Sequence, residues 1–296
     1  MCVPLMVPFL LTNHPIFALR AKMIDQYYNN AKNAMQAHID RYRAEIIQEL
    51  AIMMTYQEAT KDILIVIHNQ LDFLQNCIKS INKHTKNFRL YLYNNASNDE
   101  TTDYLQKLES DFVRVIHSDE NLGFILPNNQ LASLTSGDYL ITLNSDTQVF
   151  DGWDRAMIAY LQQNPDCAQV GYQGGLLDEK GFGGRAVWGS DIDYVAGFCS
   201  CISRNTYEKY GLFDTTYQFA YCEDADFSLR LKSQGHRIYA LHLLFLHHFE
   251  NQTIKQVVKD HEIKVTNSFN QNHQVLRDRW ANYLSNHRVE LIKGTS

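Results

Sequence analysis

The chain is short of cations: 27 lysines and arginines face 33 aspartates and glutamates, a formal net charge of −6 over 296 residues. No basic cluster offsets that balance, which excludes nucleic acid as the expected partner, since such interfaces concentrate Lys and Arg. Cysteine is sparse as well. Cys2, Cys77, Cys167, Cys199, Cys201 and Cys222 show neither a zinc spacing nor a dense disulfide frame. Reduced, buried thiols and a cytoplasmic setting are therefore expected. The apolar start Met1-Cys-Val-Pro-Leu-Met-Val-Pro-Phe-Leu-Leu11 carries two prolines, is shorter than the roughly 18–20 residues of a spanning helix, and lacks the features of a signal peptide. It is expected to dock on the protein's own surface, with a peripheral membrane contact as the alternative. Glycine is missing where other nucleotide enzymes need it. The segment after the first strand, His68-Asn-Gln70, has none, which excludes the Gly-X-Gly-X-X-Gly turn of a dehydrogenase. It also lacks the glycine- and lysine-rich loop of a nucleotidyltransferase.

What is present is an ordinary globular composition, 45% hydrophobic and 20% charged. From Leu19 to Thr60 no glycine or proline interrupts a helical pattern, and Met23, Tyr27, Ala31, Met35, Ile46, Leu50 and Met53 form its stripe. No catalytic group stands out there, so this N-terminal helical extension (1–60) is expected to be structural or to serve oligomerisation. The texture changes at Asp62. Strands are predicted over 63–67, 88–93, 112–116 and 139–143, with helices over 71–82, 101–108 and 126–135 between them. That alternation predicts βαβ units, an α/β fold with a mostly parallel central sheet, and all post-strand loops on one edge. Those loops are polar: His68-Asn-Gln70, Asn94-Asn-Ala-Ser-Asn-Asp99, His117-Ser-Asp-Glu-Asn121 and Asn144-Ser-Asp146. Four such loops on one edge outline a nucleotide cleft. Residues after Thr253 again read as an amphipathic helix, a C-terminal segment (254–296) expected to cover the domain or join a partner copy.

Two carboxylate clusters carry the chemistry. The buried run Tyr139-Leu-Ile-Thr-Leu143 delivers Asp146 to the carboxyl edge of the sheet, where open α/β folds bind ligands. Tyr221-Cys-Glu-Asp-Ala-Asp226 opens an amphipathic helix. One cluster can hold a divalent metal against a phosphate and the other can act as a base. The pairing points to chemistry on a sugar nucleotide.

These residues resemble a family 2 glycosyltransferase with the GT-A fold. The likeness runs from Asp62 to Asn251 and includes Tyr93-Asn-Asn-Ala-Ser-Asn-Asp99, Glu120-Asn-Leu-Gly-Phe124, Asn128-Asn129 and Leu143-Asn-Ser-Asp-Thr147. Downstream it takes in Tyr194-Val-Ala-Gly197, Gly211-Leu-Phe-Asp214 and Glu223-Asp-Ala-Asp-Phe-Ser-Leu-Arg230. Two positions depart from the family pattern: Asn94 stands where an aspartate usually helps hold base and ribose, and Asn144 replaces the first aspartate of Asp-X-Asp. The Asn-X-Asp form is similar to that of rhamnosyltransferase-like members that build surface polysaccharides.

The resemblance implies a GT-A domain (61–253) that moves a sugar, with inversion, from a nucleoside diphosphate donor (UDP- or dTDP-linked) to a hydroxyl acceptor. It implies that His68, Asn69, Asn94, Asn95, Ser97, Asn121, Gly123, Asn129, Asn144, Ser145 and Asp146 line the donor site. Asp146 and His247 would bind Mn²⁺ or Mg²⁺, which as a Lewis acid neutralises the leaving diphosphate. Asp224 would be the general base, with Glu223 orienting the acceptor or serving as base instead. Asp226 is expected to pair with Arg230 four residues on. The glycine-dense stretch Gly174–Gly184 reads as a flap over the site, with Arg185 reaching phosphate and Trp188 stacking on sugar. The alternative is a non-catalytic nucleotide-sugar-binding or scaffolding module.

Overall fold

The computed structural model describes Gln36 and residues 40–178, 183–249 and 252–294; the apolar start and most of the helical pattern before residue 40 lie outside the described residues. Contacts divide the chain into two units, 1–47 and 48–296. Sequence texture put the breaks after residues 60 and 253. The first unit contributes, among the described residues, little more than the opening turn of helix α1 (Arg43–Met53).

The second unit is built on β1 (Lys61–Ile67), β2 (Phe88–Asn95), β3 (Val113–Ser118) and β4 (Tyr139–Leu143). Helices α2 (Leu71–His84), α3 (Asp99–Gln106) and α4 (Ile125–Ser133) connect them. β1 is buried at nearly every position, as expected of a continuous apolar run covered on both faces. In α2, Leu74, Cys77, Ile78 and Ile81 point inward at three- and four-residue steps.

The chain then makes β5 (Thr147–Val149), α5 (Trp153–Gln163), β6 (Cys167–Gly171), β7 (Gly174–Leu177), β8 (Gly183–Val187), β9 (Tyr194–Val195) and β10 (Cys199–Ser203). α6 (Arg204–Tyr210), α7 (Glu223–Ser233), β11 (Arg237–Ala240), β12 (Leu246–His248) and the long α8 (Gln252–Gly294) follow. The central sheet has seven strands in the order β11-β6-β10-β4-β1-β2-β3. Only β10 runs against its neighbours, so the sheet is mostly parallel. Two small antiparallel sheets sit apart from it, β12-β5 and β8-β7-β9. The glycine-dense stretch thus forms β7 and β8, and residues 179–182 between them lie outside the described residues.

Several buried charges away from the cavity are paired. Lys61 Nζ meets Asp154 at 2.7 Å, and Asp62 accepts from Arg89 and from the amides of Ser136 and Gly137, which ties β1 to the turn entering β4. Glu49, on α1, is buried and accepts from the amides of His242 and Leu243, from His242 Nδ1 at 2.6 Å and from the Tyr239 hydroxyl. One carboxylate therefore fixes the turn between β11 and β12. The five described cysteines are free thiols, all buried. Among the described residues no helix is long and apolar enough to cross a membrane.

Candidate active site

The parallel strands end on one edge, and a cavity of about 500 Å³ opens there. His68, Asn95, Asn121 and Gly123 form one side of it, following β1, β2 and β3. Asn144, Ser145 and Asp146 form its floor after β4, and Glu223 and Asp224 its far wall at the start of α7.

The loops after β2 and β3 are knitted by asparagines. Asn95 Nδ2 donates to Asn121 Oδ1 and to Gly123 O, both at 2.8 Å, and its Oδ1 accepts from Leu122 N. Asn121 Nδ2 is buried with no partner in the protein, although it lines the cavity. An unmatched buried donor of this kind costs about 1–3 kcal/mol, which a ligand acceptor would offset. Gly123 has φ +80°, and a Cβ there would collide with the carbonyl of Phe219, so only glycine permits this crossing of backbones.

Asn69, Asn94, Ser97 and Asn129 do not line the cavity. Asn94 Nδ2 lies 3.0 Å from Thr102 Oγ1 and from His117 Nδ1, while its Oδ1 accepts from Ser97 N. Asn69 and Ser97 bond across the same two loops, Asn69 N to Ser97 Oγ at 2.9 Å. Asn129 clamps the backbone of Phe213 with both ends of its amide. These four hydrogen-bond within and between the segments that surround the cavity.

Asp146 is buried, and its Oδ1 lies 3.2 Å from Nε2 of His248. The imidazole stacks on Phe198, with ring centroids 4.5 Å apart and planes 16° from parallel. The expected metal position, His247, is not the histidine that lies beside Asp146. Successive residues of a strand face opposite ways, and β12 pairs His248 with Thr147, beside Asp146, and His247 with Gln148. His247 is exposed and packs edge-on against Phe249. A carboxylate oxygen and an imidazole nitrogen converging on a cavity suit a divalent cation. Among the described residues no group of three or more His, Cys, Asp or Glu side chains is placed to hold a metal ion.

Glu223 and Asp224 open α7 side by side. Asp224 Oδ2 accepts from Gly197 N at 2.9 Å and Oδ1 from Ala225 N at 2.8 Å. Burial still raises its pKa. Burial and the adjacent Asp224 charge push Glu223 up to about 8. Glu223 Oε2 is buried and has no partner in the protein. The pair thus presents one carboxylate fixed by amides and one poised to take or give a proton near neutral pH. Asp226 points away from the cavity side. It accepts from Arg230 as the spacing predicts, and also from Tyr217, Arg279 and Trp280.

The turn before this pair is strained. Phe219, Tyr221 and Cys222 have φ of 60°, 79° and 70°, values that cost non-glycine residues roughly 1–2 kcal/mol each. Phe219, Tyr221 and Cys222 line the cavity, as do Phe269, His273 and Leu276 from α8. The sequence reading assigns none of these side chains to the site. The helical pattern of α8 was readable, but nothing in it signals which face meets a cavity. Trp188 donates to Tyr172 O at 3.2 Å and does not line the cavity; Leu177, Gly183 and Tyr194 are what the β7–β9 sheet contributes. The side chain of Arg185 lies outside the described residues.

Comparison with known proteins bears on the fold and the family. A solved structure of GalNAc-T7 with UDP, GalNAc and Mn²⁺ matches 72% of this chain and 52% of its own, at 18% identity and a TM-score of 0.57. The mannosyltransferase PcManGT from Pyrobaculum calidifontis, in complex with GDP-Man and Mn²⁺, matches 71% of this chain and 65% of its own, at 12% identity and a TM-score of 0.51. Both are GT-A glycosyltransferases, so the fold is GT-A. In sequence, the O-antigen biosynthesis protein RfbC of Myxococcus xanthus is 24% identical over 207 residues, which cover 60% of this chain and 16% of that protein. The model of the family described as Glycosyl transferase family 2 matches residues 62–218, more than half of the chain, and the chain belongs to that family.

Proposed function

We propose that the protein transfers a sugar from a nucleoside diphosphate donor to a hydroxyl acceptor with inversion, in the synthesis of a surface polysaccharide. The observation that carries this reading is the convergence of a carboxylate–imidazole pair, Asp146 with His248, and a carboxylate pair, Glu223 with Asp224, on one cavity that also holds two unpartnered buried polar atoms. Asp146 and His248 would hold a divalent cation, which supplies Lewis-acid neutralisation of the leaving diphosphate when bound. Asn95, Asn121 and the backbone around Gly123 would hold the nucleotide side of the donor. Asp224, fixed by the amides of Gly197 and Ala225, takes the proton of the acceptor hydroxyl as that oxygen attacks the anomeric carbon. Glu223 orients that hydroxyl through its free oxygen. One base and a single in-line displacement give inversion. The surface-polysaccharide context is supported by the likeness to an O-antigen biosynthesis protein. The buried free thiols suit a reducing, cytoplasmic compartment.

The test is a thermal-shift panel of UDP, dTDP and GDP and their sugar conjugates, with and without Mn²⁺, on wild type and Asp146→Ala. The expected result is a stabilising nucleotide that needs both the metal and Asp146. No shift with any nucleotide would overturn the donor site and favour a scaffolding role.

A further inference from the structure

Family resemblance by sequence model stops at residue 218, one residue before the strained turn that carries Glu223 and Asp224 into place. What holds that turn is a single side chain far along the chain. Asn272, on α8, is fully buried at 0% exposure. Its Oδ1 accepts from Gln218 N at 2.9 Å. Its Nδ2 lies 2.8 Å from Gln218 O, 2.9 Å from Ala220 O and 3.0 Å from Tyr221 O. Three carbonyls around one nitrogen fix the orientation of the amide, because an oxygen there would be repelled by all three. The turn is gripped from the other side by Phe124 N, which donates to Phe219 O where Gly123 makes room. Three non-glycine residues at positive φ persist only where their surroundings over-determine them, and Asn272 supplies most of the bonds that do so. One turn of α8 to either side, Phe269 and Leu276 line the cavity, as does the adjacent His273.

We propose that Asn272 is a positioning residue: α8 supplies the acceptor-side half of the active site, and through Asn272 it holds the 218–222 turn so that Glu223 and Asp224 face the acceptor. This inference rests on the proposed function for the role of the two carboxylates, but the clamp itself does not. The residue touches no reacting group; it acts through the backbone of the turn.

The experiment compares wild type with Asn272→Ala and with Asn272→Asp, which keeps the volume and the acceptor oxygen but sets an oxygen against three carbonyls. Hydrogen exchange of residues 218–226 reads the clamp. Turnover of the UDP-, dTDP- or GDP-sugar that wild type hydrolyses with Mn²⁺ reads the chemistry, with its pH profile. The expected result is at least tenfold faster exchange in 218–226 with β1 to β4 unchanged. Turnover should fall about ten- to a hundredfold, with donor KM within twofold and the nucleoside diphosphate thermal shift retained. The pH limb of the carboxylate pair should also move. Unchanged exchange in 218–226 overturns the proposal, as does faster exchange with unchanged turnover. Parallel loss of turnover, donor KM and nucleotide shift would reduce Asn272 to a structural residue and overturn it too. If wild type turns over none of these donors, the proposed function falls, and the exchange comparison still decides whether Asn272 holds the turn.

Discussion

Glu223→Gln should make the protein more stable at alkaline pH and leave it unchanged in acid. Burial, followed by the neighbouring Asp224 charge, raises this carboxyl from its ordinary 4.5 to about 8. An unfolded chain loses the proton near pH 4.5, whereas the folded protein keeps it until near pH 8. Across that window the folded state binds the extra proton, so stability present below pH 4.5 drains away as pH rises to 8. At about 1.4 kcal/mol per pKa unit, the full shift would amount to about 5 kcal/mol. Part of it belongs to Asp224, with which the proton is shared, and the cavity admits water, so about 2 kcal/mol is the expected gain. With an unfolding entropy of about 2.1 cal/mol/K per residue, that is roughly 3 °C in Tm. The assay is a pair of thermal melts of variant and wild type at pH 4.5 and 8.5; titrations elsewhere cancel in the difference. An advantage of equal size at both pH values would refute the reasoning, because it would mean that Gln packs better rather than that a charge was removed.

Two further outcomes follow from the site geometry. Asp224→Asn should cut turnover by about 10²- to 10⁴-fold, the usual worth of a general base, while donor affinity stays within a few-fold in equilibrium binding. His248→Ala should weaken Mn²⁺ binding at least tenfold by electron paramagnetic resonance, whereas His247→Ala should leave it near wild type; the reverse order would return the metal to the outer face of β12.

The fold was readable where a single physical signal dominates. The run Ile63–Ile67 is apolar without a break and Tyr139–Leu143 is apolar but for Thr142, so burial on both faces locates the strands and their ends, and with them Asp146. The site was less readable wherever a choice rests on register or docking. Asn94 and Asn95 are chemically identical, but they face opposite sides of β2, and only the second reaches the cavity. His247 and His248 pose the same problem: the pairing of a three-residue strand with β5 decides which of them lies beside Asp146. The positive φ angles of Phe219, Tyr221 and Cys222 leave no trace in composition, since glycine, the usual marker, is absent from that turn. Asn272 reads as a polar residue on a helix surface until the turn it clamps is seen. Glu49 is similar: in a sequence it belongs to the solvated side of a helix, and here it is buried.

Glu49 also bears on how this chain can be divided. The family-matched stretch begins at residue 62, thirteen positions after a carboxylate that satisfies the amides of His242 and Leu243. A chain cut at that boundary would bury two amide donors with no acceptor, at about 1–3 kcal/mol each. The turn they define leads into β12 and His248. Recombination of this domain between related chains is therefore constrained at a point outside the stretch by which it is recognised: a shuffled domain would have to bring the end of α1 with it, or find another acid to take its place.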